Sequence, residues 1–187
     1  MAVNINVKCI SLFNKPANTV KPVDKISLVD LYKLITSDKY EGVTEELRAL
    51  ENPKLKKDFK ESSFDFFTGV GIFPYREDGA LKYHSECIVI DLDHLGGALS
   101  ETMAKLITDD KLYVLLMFVS PSGDGLKVIY GIDLSKGGHR KWFKAIRNYL
   151  RETYNLEADP SGINESRTCF LPHDPECYAC KEIKEYV

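Results

Sequence analysis

Apolar and polar positions alternate over residues 3–13, the period of a half-buried strand. After a loop carrying Pro16 and Pro22, Leu28, Leu31, Leu34 and Ile35 fall on one helical face, and Ser27 can cap that helix at its start. A second helix is expected over about 43–51, ended by Asn52-Pro53. Phe64, Phe66, Phe67, Ile72 and Phe73 then make an aromatic strand-turn-strand stretch around Gly69 and Gly71. Glu77-Asp78-Gly79 fits the loop of a hairpin.

From residue 86 the pattern becomes regular. Strands are expected at about 86–93, 112–119, 126–132 and 167–171. A helix opened by Ser100, with Met103, Leu106 and Ile107 as its apolar stripe, separates the first two. A longer helix over 138–154 precedes the last strand and buries Trp142, Phe143, Ile146, Tyr149 and Leu150 on one face. The order β-α-β-β-α-β is that of ferredoxin-like and RNA-recognition-like (RRM-like) folds. The expectation is therefore an α+β protein of one domain, with residues 81–187 as the RRM-like core and residues 1–80 as an N-terminal α/β elaboration. In that topology the first and third strands lie side by side in the middle of the sheet. Ile88, Ile90 and Leu92 then face the helices, and Asp91 and Asp93 face the opposite side. The N-terminal residues are available to cover part of that side and form a cleft.

Composition narrows the classes of function. The chain has 187 residues and a formal charge of −3, so a nucleic-acid role needs local basic patches rather than a global field. Two such patches exist: Lys54, Lys56, Lys57 and Lys60, and the outer face of the 138–154 helix with Arg140, Lys141, Lys144, Arg147 and Arg151. No apolar run approaches a membrane span and nothing reads as a signal peptide, which gives the expectation of a soluble, cytoplasmic protein without membrane partners. Cys169, His173, Cys177 and Cys180 have a spacing compatible with zinc ligation, but Pro172 and Pro175 interrupt it. Reduced thiols are the simpler expectation.

The candidate chemistry centres on Asp91 and Asp93. Two carboxylates at i, i+2 on one strand face repel unless a cation or proton sits between them, and oxygen-only ligation suits Mg²⁺ or Mn²⁺. Ser120-Pro121-Ser122-Gly123-Asp124-Gly125 leads into the strand that begins Leu126-Lys127. Its two glycines, the Ser122 hydroxyl and the Lys127 cation suit a phosphate-binding nest, and the same stretch is also a hairpin turn. Asp159, before Pro160, can supply a third carboxylate or simply turn the chain. Arg167 can contact phosphate. Two ions held by three acids could bridge the attacking and leaving oxygens of a phosphoryl displacement. A haloacid-dehalogenase-like phosphatase or a glycosyltransferase would also use Asp-x-Asp, but neither uses all three motifs.

In this order, Asp91-Leu92-Asp93, Ser120–Lys127 and Asp159-Pro160-Ser161-Gly162…Arg167…Phe170 resemble the VirE N-terminal-domain-like family of Bacteroides-type mobile elements. That family is similar to the archaeo-eukaryotic primase (primase-polymerase) superfamily. The resemblance implies a primase-like palm and metal-dependent nucleotidyl transfer in DNA replication. It also implies nucleoside triphosphates and single-stranded DNA template as partners, with a helicase-type domain or protein beside them. Position by position, Asp91, Asp93 and Asp159 resemble the metal-binding and catalytic carboxylates. Ser122, with Gly123 and Gly125, resembles the phosphate-contacting small-residue motif. Lys127 stands where the superfamily has a histidine, so a fixed point charge replaces a titrating ring. The alternative implied by that departure is a module of the same fold that binds nucleotide or nucleic acid without catalysis.

Overall fold

Along Cys87–Leu92 the even-numbered residues Ile88, Ile90 and Leu92 are fully buried, while Val89 and Asp91 are only partly so. That alternation places one strand between two different layers. The computed structural model describes residues 8–187. The first part of the strand expected over 3–13, residues 3–7, lies outside the described residues.

The elements in chain order are β1 (Cys9–Phe13), β2 (Asp24–Ser27), α1 (Leu28–Thr36), α2 (Glu41–Ala49), α3 (Pro53–Ser63), β3 (Phe66–Thr68), β4 (Gly71–Ile72) and β5 (Tyr83–His84). They continue with β6 (Cys87–Leu92), α4 (Leu99–Ile107), β7 (Val114–Val119), β8 (Leu126–Gly131), α5 (His139–Tyr154), β9 (Thr168–Phe170), β10 (Tyr178–Ala179) and α6 (Lys181–Lys184). Ser27 caps α1 as expected, in a reciprocal capping box with Asp30. α3 spans the Lys54–Lys60 cluster and was not expected as a helix. Asn52 caps it by accepting from the Lys54 and Leu55 N–H groups, and Pro53 sits in its first turn.

Two four-stranded sheets carry the fold, β2-β1-β3-β9 and β10-β7-β8-β6, with β4 and β5 as a separate hairpin. The pairings within them are antiparallel. α4 and α5 cover one face of the second sheet, where Ile88, Ile90, Leu92 and Val128 pack with Leu106, Phe143, Ile146 and Leu150. The other face is not open. Leu116, Phe118 and Ile129 pack there against Phe67, Cys169 and Ile10 of the first sheet and against α1. The protein is thus layered helix, sheet, sheet, with the N-terminal elements closing the side on which Asp91 lies.

The sheet order differs from the ferredoxin-like expectation in one respect. β6 and β8 are neighbours, but β6 is an edge strand, and the strand expected last in this sheet, β9, pairs instead with β3. β10 takes the outer edge beside β7. Aromatic packing explains the transfer of β9: Phe170 meets Phe66 at 6.2 Å and Phe64 at 6.4 Å between ring centroids. What the structure supports is a mixed α+β fold with antiparallel sheets. Among the described residues no helix is long and apolar enough to cross a membrane.

Candidate metal and phosphate site

Asp91 stands opposite Lys127 in the β6–β8 ladder, and the Lys127 ammonium contacts Asp91 Oδ2. Both side chains are largely buried, Lys127 14% and Asp91 16% exposed. The other oxygen, Asp91 Oδ1, is buried without a hydrogen-bond partner. Such an oxygen is costly unless a cation or donor fills the place beside it.

Asp159 reaches the same place from the loop after α5. Its N–H donates to the Asp91 carbonyl oxygen at 2.9 Å, which satisfies part of the free edge of β6. Its carboxylate accepts from the Ser161 N–H at 2.9 Å, the Ser161 hydroxyl at 2.6 Å and Arg167 Nη2 at 3.1 Å. Asp93 follows the end of β6 and is exposed. One oxygen from each of Asp91, Asp93 and Asp159 lies within 4.8 Å of the other two. Among the described residues this is the one group of three or more His, Cys, Asp or Glu side chains so gathered.

The electrostatics are mixed. Burial pushes the Lys127 ammonium down to about 8; Lys60 and Arg167 push the same way, while Asp159 opposes them. It remains a cation at neutral pH. Burial alone would raise the Asp159 carboxyl, yet the Ser161 hydroxyl and N–H, then Arg167 and Lys127, together hold it below the usual carboxylate range. Cys169, next to Lys127 in the same cleft, is pushed up to about 11 by burial and stays a thiol. Three carboxylates stand against the Lys127 and Arg167 cations, with Lys60 close by. Hard oxygen donors and the orphaned Asp91 Oδ1 fit a divalent cation such as Mg²⁺ or Mn²⁺.

Asp91, Lys127, Asp159 and Arg167 line one cleft, walled on the other side by Gly69 and Val70. The hairpin residues are placed differently. Gly125 packs against the end of β6, where a Cβ would lie 2.4 Å from the Leu92 carbonyl oxygen. Gly123, at φ +79°, uses its N–H within the turn on the Ser120 carbonyl, and Ser122 Oγ pairs with Ser120 Oγ at 3.1 Å. Ser122, Gly123 and Gly125 therefore adjoin the acids through the backbone but do not line the cleft. Arg48 of α2 holds this turn from outside, donating to the Pro121 carbonyl at 3.2 Å.

A family model for the BT4734-like N-terminal domain matches residues 58–178. The chain belongs to that family. No curated protein and no solved structure matches it. The stretch shared with the BT4734-like family runs from within α3 to the start of β10 and contains every residue of the site. β1, β2, α1 and α2 lie before it, although β1 pairs directly with β3 inside it.

The sequence did not place two residues beside this site. Gly69, read there only as a turn glycine, admits Val89 so closely that a Cβ would lie 2.0 Å from Val89 Cγ2. Lys60 of α3, read there only as part of a basic patch, is near enough to Lys127 to repel it. The suggested zinc group does not assemble: no three of Cys169, His173, Cys177 and Cys180 bring ligand atoms together, and His173 Nδ1 is engaged with the Ser37 carbonyl at 2.9 Å. His94, just past the end of β6, pairs with Asp124 at 3.0 Å.

Proposed function

We propose that this chain is a primase-like domain that binds a nucleoside triphosphate with Mg²⁺ or Mn²⁺ and transfers a nucleotidyl group during replication of mobile-element DNA. The observation that carries this reading is the convergence of Asp91, Asp93 and Asp159 beside the buried Lys127 cation. The resemblance of the same motifs to VirE N-terminal-domain-like and primase proteins supplies the reaction class.

In this reading Asp91, Asp93 and Asp159 hold the cation. When bound, it supplies Lewis-acid neutralisation of phosphate charge and activation of a 3′-hydroxyl. Lys127 and Arg167 bind phosphate oxygens, Lys127 as a point charge and Arg167 through its planar fork. Ser161 and Arg167 keep Asp159 ionised and oriented. The hairpin Ser122–Gly125 orients the end of β6 and with it Asp93. Single-stranded template runs along the exposed Arg140, Lys141, Lys144 and Arg151 of α5 and the basic face of α3, with salt-dependent affinity. A helicase-type partner would deliver that strand.

A primer-extension assay with Mn²⁺, a primed single strand and each of the four dNTPs or NTPs tests this. Incorporation by wild type that falls to background in Asp91→Asn and Asp159→Asn supports it; no incorporation by wild type on any template rejects it.

One observation favours a second reading. The Lys127 ammonium already contacts and neutralises Asp91 through Oδ2, which suits a binding module without catalysis. Single-stranded DNA binding that is indifferent to chelator, with no incorporation, would select that reading.

A further inference from the structure

Beside the cleft, two histidines leave buried ring nitrogens without partners: His84 Nε2 and His139 Nδ1. His84 lies in β5, and His139 opens α5 and is only 3% exposed. Their ring centroids are 5.9 Å apart.

The other nitrogen of each ring fixes its proton. The Glu86 N–H donates to His84 Nδ1 at 3.0 Å, so a neutral His84 carries its proton on Nε2. His139 Nε2 faces the Gly162 carbonyl at 3.3 Å, which can only accept, so the His139 proton sits on Nε2 and Nδ1 is bare. The two orphaned atoms are therefore complementary, a donor on His84 and an acceptor on His139. A transition metal between them would need a bare nitrogen on both rings, which His84 does not offer.

The chain of bonds continues into the acid site. Gly162 belongs to the 3₁₀ turn Pro160–Ile163, and its N–H donates to the Asp159 carbonyl at 3.2 Å. That turn rests directly on α5: a Cβ on Gly162 would lie 2.8 Å from the Phe143 ring. We propose that His84 and His139 are positioning residues, a proton-ordered pair bridged by one water that holds the Gly162 carbonyl and so sets the Asp159 carboxylate against Asp91 and Asp93. This rests on the metal-binding reading of the site.

The surroundings keep the pair neutral. Burial pushes His84 down to about 4, with His139 and Lys8 adding to it. His139 is lowered chiefly by burial and also by Arg140, against the Gly162 carbonyl, Glu165 and Asp78. The first turn of α5 adds a partial positive charge that disfavours a second proton there.

Nitrogen-15 spectra of the histidine rings and of the Asp159–Gly162 amides across pH 4 to 8, with Mn²⁺ titrations at pH 7.5, test the inference in two arms. Expected are Nε2–H tautomers for both rings and amide shifts at Asp159 and Gly162 that follow the His139 midpoint and disappear in His139→Gln. His139→Phe should weaken Mn²⁺ binding about tenfold, whereas His139→Gln, which keeps a donor for Gly162, should stay within about twofold of wild type. Nδ1–H tautomers, silent Asp159–Gly162 amides, or equal Mn²⁺ affinity in wild type and His139→Phe would overturn it. If wild type binds no Mn²⁺, the metal reading fails, and the spectra still decide whether the pair holds the turn. If His139→Phe does not fold, His139→Gln and the tautomers decide.

Discussion

The N–H of Asp159 donates to the carbonyl oxygen of Asp91 at 2.9 Å, joining two carboxylates far apart in the chain through their backbones. The bond replaces the strand neighbour that β6 lacks on its open edge, and it carries the third acid to the cleft. A main-chain contact therefore brings Asp159 to Asp91, and changes to the side chains that orient its carboxylate can test chemistry without moving that backbone.

Ser161 is the cleanest such change. Its hydroxyl donates to Asp159 Oδ2 at 2.6 Å and helps keep that carboxyl ionised. Ser161→Ala should weaken Mn²⁺ binding by about tenfold. It should cost only about 1 kcal/mol of stability. Isothermal titration and urea unfolding measure the two effects separately.

Lys127 and Asp91 make a buried ion pair, and removing one partner strands the other. Lys127→Met should lower stability by about 3 kcal/mol in chelator, because Asp91 is left as an unpaired buried charge. Saturating Mn²⁺ should restore much of that loss and should raise the melting temperature of the variant more than that of wild type. Thermal unfolding with and without Mn²⁺ checks both signs.

Gly69 faces Val89 with no room for a methyl group. Gly69→Ala should cost about 1–3 kcal/mol through overpacking. Val89→Ala in the same chain should recover part of it, a coupling that a double-mutant cycle reads directly.

Stability should fall as pH drops from 6.5 towards 4. Burial, then His139 and Lys8, hold the folded-state His84 near 4, below the ordinary 6.5 of the unfolded chain. In that window the unfolded chain binds more protons, so stability is fully present above 6.5 and is lost on acidification. The ring is half-buried, and the loss attributable to it is about 1 kcal/mol after allowing for solvent screening. Urea midpoints at pH 7.5 and 4.5 for wild type and His84→Phe isolate this contribution: the variant should show the smaller difference.

The strands and helices that bury one face were legible in the sequence, because burial imposes a period. Ile88, Ile90 and Leu92 face α4 and α5, as their alternation with Asp91 predicts. The partner of β9 was not legible. Its own residues mark a strand, but its place beside β3 depends on Phe170 meeting Phe64 and Phe66, a contact between distant segments. β10 has two residues, too few to carry a period. α3 buries none of its residues, so it leaves no apolar stripe, and in the sequence Asn52-Pro53 reads as the end of one helix rather than the start of another. In the candidate site, residue types singled out Asp91, Asp93, Asp159, Lys127 and Arg167, which the structure brings close together. The glycine-rich turn promised exposed N–H groups, whereas the structure turns Gly123 N–H inward and seats Gly125 on β6. Arg48 and Gly69 act through tertiary contacts that no local pattern announces.

Mn²⁺ binding followed by electron paramagnetic resonance, with and without a nucleoside triphosphate, tests the central claim most directly. The account predicts saturable binding that nucleotide tightens and that both Asp91→Asn and Asp159→Asn abolish. Binding that survives intact in Asp159→Asn, or no binding by the wild-type chain, would contradict it.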